Sequence, residues 1–135
     1  MTAENKRRVL VAEDNEKTLQ SVISLMKSHG YEVDAVTCRR DAELLIKDQV
    51  PYVLIISDNQ MPVRQKEMPR HNVGLELLRV YRLFSDVYDH TPFILNTSDD
   101  GFALIAEVRR LGGVYRHKND GKSLRDVVTE VLSSQ

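Results

Sequence analysis

Five short apolar runs recur along this sequence, each broken off at a polar residue and each followed by a stretch with helical spacing. That alternation constrains the fold more than any other feature. Residues 9–12 form the first run and stop at Glu13-Asp14-Asn15. Residues 16–29 then set Leu19, Val22, Ile23 and Met26 on one helical face, and Gly30 ends the pattern. Residues 31–37 are rich in β-formers, and Asp41 is placed to cap a helix carrying Leu44, Leu45 and Ile46. The strongest strand is 52–57, a continuous apolar run suited to a sheet covered on both faces, and it closes at Asp58. Gly74 opens a helix with Leu75, Leu77, Leu78, Tyr81 and Leu83 as packing residues. Residues 93–96 make a fourth strand ending at Thr97-Ser98, and a helix over 99–111 carries Phe102, Leu104, Ile105, Val108 and Leu111. Gly112-Gly113 break it, a fifth strand over 114–117 ends at Lys118, and a last helix spans 123–132.

Strand and helix alternating five times predict an α/β fold: a parallel sheet with right-handed crossovers and helices on both faces. The working site of such open sheets lies beyond the C-terminal ends of the strands. Here those ends are Glu13 and Asp14, Asp58, Thr97 and Lys118.

The length of 135 residues suits one domain, 1–135, with no internal repeat or low-complexity linker. A net charge of -1 gives no general pull on nucleic acid, and no concentrated basic face is evident, so no direct nucleic-acid binding is expected. The apolar runs are far too short to span a bilayer, and the first eight residues lack the apolar core of a signal peptide. A cytoplasmic protein without membrane association is therefore expected. The single Cys38 cannot pair within the chain, which agrees with a reducing compartment, and it reads as a packing residue. His29, His71, His90 and His117 are scattered without ligand spacing and read as surface residues.

Three carboxylates brought to one sheet edge repel one another and invite a hard cation; magnesium, which prefers oxygen ligands, suits them. With the site's charge reduced, Asp58 can act as a carboxylate nucleophile and form an acyl phosphate. Lys118 can pair with a phosphoryl oxygen and Thr97 can donate its hydroxyl to another. Positioning and charge neutralisation supply most of the catalysis in phosphoryl transfer.

These residues resemble the receiver domains of response regulators. Val-Leu-Val-Ala-Glu13-Asp14-Asn15 is similar to the family's first strand and acidic pair, and Ile-Ile-Ser-Asp58-Asn-Gln-Met61-Pro62 to its third strand and Asp-x-x-Met-Pro turn. Thr91-Pro92-Phe-Ile-Leu-Asn-Thr97-Ser98 resembles the fourth strand, and Gly113-Val-Tyr115-Arg-His-Lys118 the fifth. The resemblance covers nearly the whole chain in order. It implies a flavodoxin-like (βα)5 fold of strand order 2-1-3-4-5, related to the chemotaxis regulators. It implies a phosphorylation switch of two-component signalling rather than a turnover enzyme, with Asp58 as phosphoacceptor. Mg2+ would be held by Asp14, Asp58 and the backbone carbonyl of Gln60, with Glu13 acting through water. Thr97 would move toward the phosphoryl group and Tyr115 would turn inward behind it, remodelling the surface of the fourth helix, fifth strand and fifth helix. Gln60 and Asp99 would tune how long the phosphoryl group lasts. The implied partners are a histidine kinase or histidine phosphotransfer protein in a phosphorelay, and a downstream protein or covalently linked output domain. The implied dimer is a homodimer through that same surface.

Three departures stand out. Asn119 replaces the proline that usually follows the lysine, so a trans bond is expected there. Arg116 occupies a usually apolar strand position and must reach solvent or a partner. Residues 63–73, with Arg64, Lys66, Arg70 and His71, lengthen the loop beside the acceptor. That loop reads either as a solvated insertion or as a shield or recognition element. These departures keep open a second reading, a pseudo-receiver that serves as a phosphorylation-independent interaction module. The plainer roles are helix-capping acids for Glu13 and Asp14, a turn former for Asp58, a cap for Thr97, a surface amine for Lys118 and a core aromatic for Tyr115. A haloacid-dehalogenase-type phosphatase would need a second acid at Gln60, and Glu13-Asp14-Asn15-Glu16 would repel the phosphate of a flavin.

Overall fold

The structure is a computed structural model, and it describes residues 7–88 and 90–134. The opening residues 1–6, part of the stretch read above for a signal peptide, lie outside these. Eleven elements follow in chain order: β1 (Arg8–Ala12), α1 (Glu16–Ser28), β2 (Glu32–Val36), α2 (Arg39–Lys47), β3 (Tyr52–Ser57), α3 (Val73–Arg82), the single turn α4 (Ser85–Tyr88), β4 (Phe93–Thr97), α5 (Phe102–Arg110), β5 (Val114–His117) and α6 (Leu124–Ser133). The five strands form one parallel sheet in the order β2-β1-β3-β4-β5, the predicted architecture.

Successive strand residues face opposite sides of a sheet, and this sheet has two apolar cores as a result. Leu10, Ala12, Ile55, Phe93 and Leu95 pack with Ala42 and Ile46 of α2, Leu77, Leu78 and Tyr81 of α3, and Leu104 and Val108 of α5. Val9, Val11, Leu54, Ile56 and Ile94 face the other way, onto Leu19, Val22 and Met26 of α1 and Val127 and Val128 of α6. Both faces of the central strands are therefore dry, which explains why their sequences are continuous apolar runs rather than alternating ones. Among the described residues, no helix is long and apolar enough to cross a membrane.

Some local expectations are corrected. Asp41 lies inside the first turn of α2, whose cap position is Cys38 without a side-chain cap bond. The N–H groups of Arg39 and Arg40 instead donate to the carbonyls of Pro62 and Val63, at 3.0 and 2.9 Å. Leu44 is 52% exposed, because the buried face of α2 runs through Ala42 and Ile46 and a residue midway between them points outward. Leu83 lies past the end of α3, and Phe102 is the first residue of α5, ahead of its buried face at Leu104 and Val108; they are 80% and 91% exposed. No described peptide bond is cis, Lys118–Asn119 included, as expected.

Candidate functional site

Each acid at the site follows directly from where a parallel strand stops. The N–H of Glu13 still donates to Val36 O at 3.0 Å and that of Asp58 to Ala12 O at 2.9 Å, so both residues are the last in their ladders. The side chains of Glu13, Asp14 and Asp58 meet there, with one oxygen from each within 4.8 Å of the others. Lys118 reaches across from the end of β5, where its N–H donates to Thr97 O at 2.8 Å. Its Nζ donates to Glu13 Oε1 at 2.9 Å and to Asp58 Oδ2 at 3.2 Å. A cavity of about 220 Å3 opens here, lined by Asp14, Asn15, Thr18, Asp58, Gln60, Pro69, Ser98 and Lys118. Glu13 lies beneath it, 3% exposed. Thr97 is buried at the end of β4, and its Oγ1 accepts the N–H of Asp99 at 3.1 Å.

Three carboxylates against one ammonium leave the site short of positive charge. Burial, reinforced by the charge of Asp58, pushes the Glu13 carboxyl up to about 7, against the pull of Lys118 and the N–H of Asn15. Burial also raises Asp14, and the Asp58 charge adds to it. Burial pulls the Lys118 ammonium down, but the Glu13 hydrogen bond and the charges of Asp58 and Glu13 outweigh it and hold Lys118 above its ordinary range. The donor set is all oxygen, carries excess negative charge and is partly dehydrated, which fits a hard divalent cation.

The sign of the Glu13 shift gives a test. Between pH about 4.5 and about 7 the folded chain keeps a proton on Glu13 that the unfolded chain has lost. Without divalent cations, the Glu13 contribution to stability is therefore full below that window and lost as pH rises through it. Urea midpoints at pH 5, 6 and 7 are expected to fall more for the native chain than for Glu13→Gln; equal pH profiles would remove Glu13 as the source.

Two residues outside the predicted set shape the site. Asn59 is fully buried: its N–H donates to Asp58 Oδ1 at 2.7 Å and its Oδ1 accepts from Leu75 N at 3.0 Å. Gly74 packs so closely on β3 that a Cβ there would lie 2.0 Å from Asp58 O. The only sequence hints were the adjacency of Asn59 to Asp58 and a glycine at a helix start. Tyr115 is half-buried, and its hydroxyl donates to Asp99 O at 2.5 Å. Arg116 finds partners in Asn96 Oδ1 at 2.7 Å and Lys122 O at 3.2 Å.

The long loop is anchored rather than free. An isolated antiparallel bridge between Met61 and Arg70 closes its neck. Gln65 Nε2 donates to Thr37 Oγ1 and Asp41 Oδ2, both at 2.9 Å. Pro69 forms part of the cavity wall, while Arg64, Lys66, Arg70 and His71 are exposed.

No protein-family model and no curated protein sequence matches this chain. Solved structures do. The chemotaxis response regulator CheY4 of Vibrio cholerae superposes with a TM-score of 0.72 at 23% identity, covering 96% of this chain and 98% of that one. The signal receiver domain of a Luxo repressor protein from Vibrio parahaemolyticus gives 0.75 at 22%, covering 96% and 92%. A CheY-like receiver domain protein from Methanospirillum hungatei gives 0.74 at 19%, covering 96% and 94%. The chain thus has the fold of CheY-like response regulator receiver domains.

Proposed function

We propose that this chain is a phosphoacceptor switch of two-component signalling, taking a phosphoryl group onto Asp58 from a phosphohistidine of a kinase or phosphotransfer protein. The observation that carries this reading is the meeting of Glu13, Asp14 and Asp58 with Lys118 at the C-terminal edge of the sheet. An Asp58 oxygen attacks phosphorus; the P–O bond forms as the donor's P–N bond breaks, and the imidazole leaves with that electron pair. Lys118 pairs with a phosphoryl oxygen, which loosens its bonds to Glu13 and Asp58. Asp14, Asp58 and the Gln60 carbonyl, with Glu13 behind them, would hold Mg2+. When bound, that ion supplies charge neutralisation for the incoming phosphoryl group. Thr97 then turns its hydroxyl toward the new group and Tyr115 follows. The face made by α5, β5 and α6 changes in consequence and reads out to a downstream protein or a linked output domain.

Intact mass after incubation with acetyl phosphate tests the reading. A gain of one phosphoryl group is expected with Mg2+, with none for Asp58→Asn. A folded native chain that gains nothing from acetyl phosphate or from a phosphorylated kinase would falsify the switch and favour a phosphorylation-independent interaction module.

A further inference from the structure

We infer that Asn59 and Asp99 form a positioning pair that ties the acceptor end of β3 to Thr97 and Tyr115; the functional side of this inference rests on the phosphoacceptor reading above. Every polar group of Asn59 is engaged. Its N–H donates to Asp58 Oδ1 at 2.7 Å, and its carbonyl accepts from Gly74 N at 3.0 Å. Its Oδ1 accepts from Leu75 N at 3.0 Å, and its Nδ2 donates to Asp99 Oδ2 at 2.8 Å and to Asn72 Oδ1 at 3.2 Å. The Leu75 N–H can be met only by an oxygen, so the orientation of the amide is fixed and its hydrogens must face Asn72 and Asp99.

Asp99 carries the link onward through its backbone. Its N–H donates to Thr97 Oγ1 at 3.1 Å, and its carbonyl accepts the Tyr115 hydroxyl at 2.5 Å. A continuous hydrogen-bonded route thus runs from the Asp58 carboxylate to both residues assigned to switching. Phosphorylation changes the charge of the carboxylate that Asn59 N–H meets, and the route passes that change to the two contacts at Asp99. A buried asparagine used for packing alone would be better replaced by an apolar side chain; here both ends of its amide are committed across three segments of chain.

The test follows the Tyr115 ring by NMR with ring-labelled tyrosine. In the unphosphorylated chain, Asn59→Ala is expected to move the Tyr115 resonance in the native background but not in an Asp99→Ala background. Asp99→Asn keeps an oxygen that accepts from Asn59, so it should restore the response. If Asn59→Ala does not fold, Asn59→Asp serves: it keeps an oxygen for Leu75 N–H but turns an acceptor toward Asp99. With Mg2+ and acetyl phosphate, at phosphoryl occupancy measured by intact mass, the further Tyr115 shift should be smaller in Asp99→Ala than in the native chain and of native size in Asp99→Asn. An Asn59 effect of equal size without the Asp99 side chain, or a full phosphorylation response in Asp99→Ala, overturns the inference. If the native chain takes no phosphoryl group, the functional reading fails, and the resting-state comparison still decides the link.

Discussion

Gly74→Ala is expected to destabilise the protein by about 3 kcal/mol or more, the upper range for forcing atoms into a packed interior. The added methyl group would lie 2.0 Å from Asp58 O and 2.8 Å from Asn59 Cα. Both are backbone atoms at the end of a buried strand, so no side-chain rotation relieves the clash. The start of α3 must back away, which breaks Gly74 N to Asn59 O and Leu75 N to Asn59 Oδ1, both 3.0 Å long. The better helix propensity of alanine returns only about 1 kcal/mol. Thermal unfolding should show a midpoint lower by about 10 °C, at a few degrees per kcal/mol for a domain of this size. Gly121→Ala is the control: nothing lies within 4 Å of a Cβ there, and its midpoint should hardly move. Equal effects from both would mean that the contact of Gly74 with β3 is not what constrains it.

Lys118→Met is the second large effect. It removes the cation that donates to both Glu13 and Asp58 and leaves three carboxylates facing one another. Taking one partner from a buried pair costs about 3 kcal/mol or more. Glu13 limits the loss, because its carboxyl, already pushed up to about 7, takes up a proton. Urea unfolding without divalent cations should therefore show a larger penalty at pH 8 than at pH 6. The same variant should bind Mg2+ more tightly, since a competing cation is gone. It should also gain phosphoryl groups from acetyl phosphate about 10²-fold more slowly, the usual cost of losing one positioned charge partner. An unchanged phosphorylation rate would remove Lys118 from the reaction.

The strand ends were readable because a buried parallel strand must be apolar throughout and must stop where polar chemistry begins. Glu13, Asp58, Thr97 and Lys118 each mark such a stop, so the strands and the residues gathered at their C-terminal ends could be read from the sequence. Helix faces were less readable. Leu44, Leu83 and Phe102 are apolar yet exposed, because periodicity does not say where a helix leaves the core. The single turn Ser85–Tyr88 was too short to show a period. Asn59 stayed hidden for another reason. Its side chain bonds with residues 13, 16 and 40 positions away, and only the folded chain brings these together.

The carbonyls of Pro62 and Val63 that receive the Arg39 and Arg40 N–H groups have a consequence for how this molecule can vary. Cys38 makes no side-chain cap hydrogen bond to α2, and the loop after β3 supplies acceptors for its first two N–H groups. The two segments therefore cannot diverge independently. A chain whose loop no longer brings the Val63 carbonyl to Arg40 N–H needs another acceptor there, which serine, threonine, aspartate or asparagine at position 38 would supply. The residue at position 38 and the path of the chain at Val63 should thus change together from one sequence to another, with no contact to the acceptor carboxylate needed to couple them.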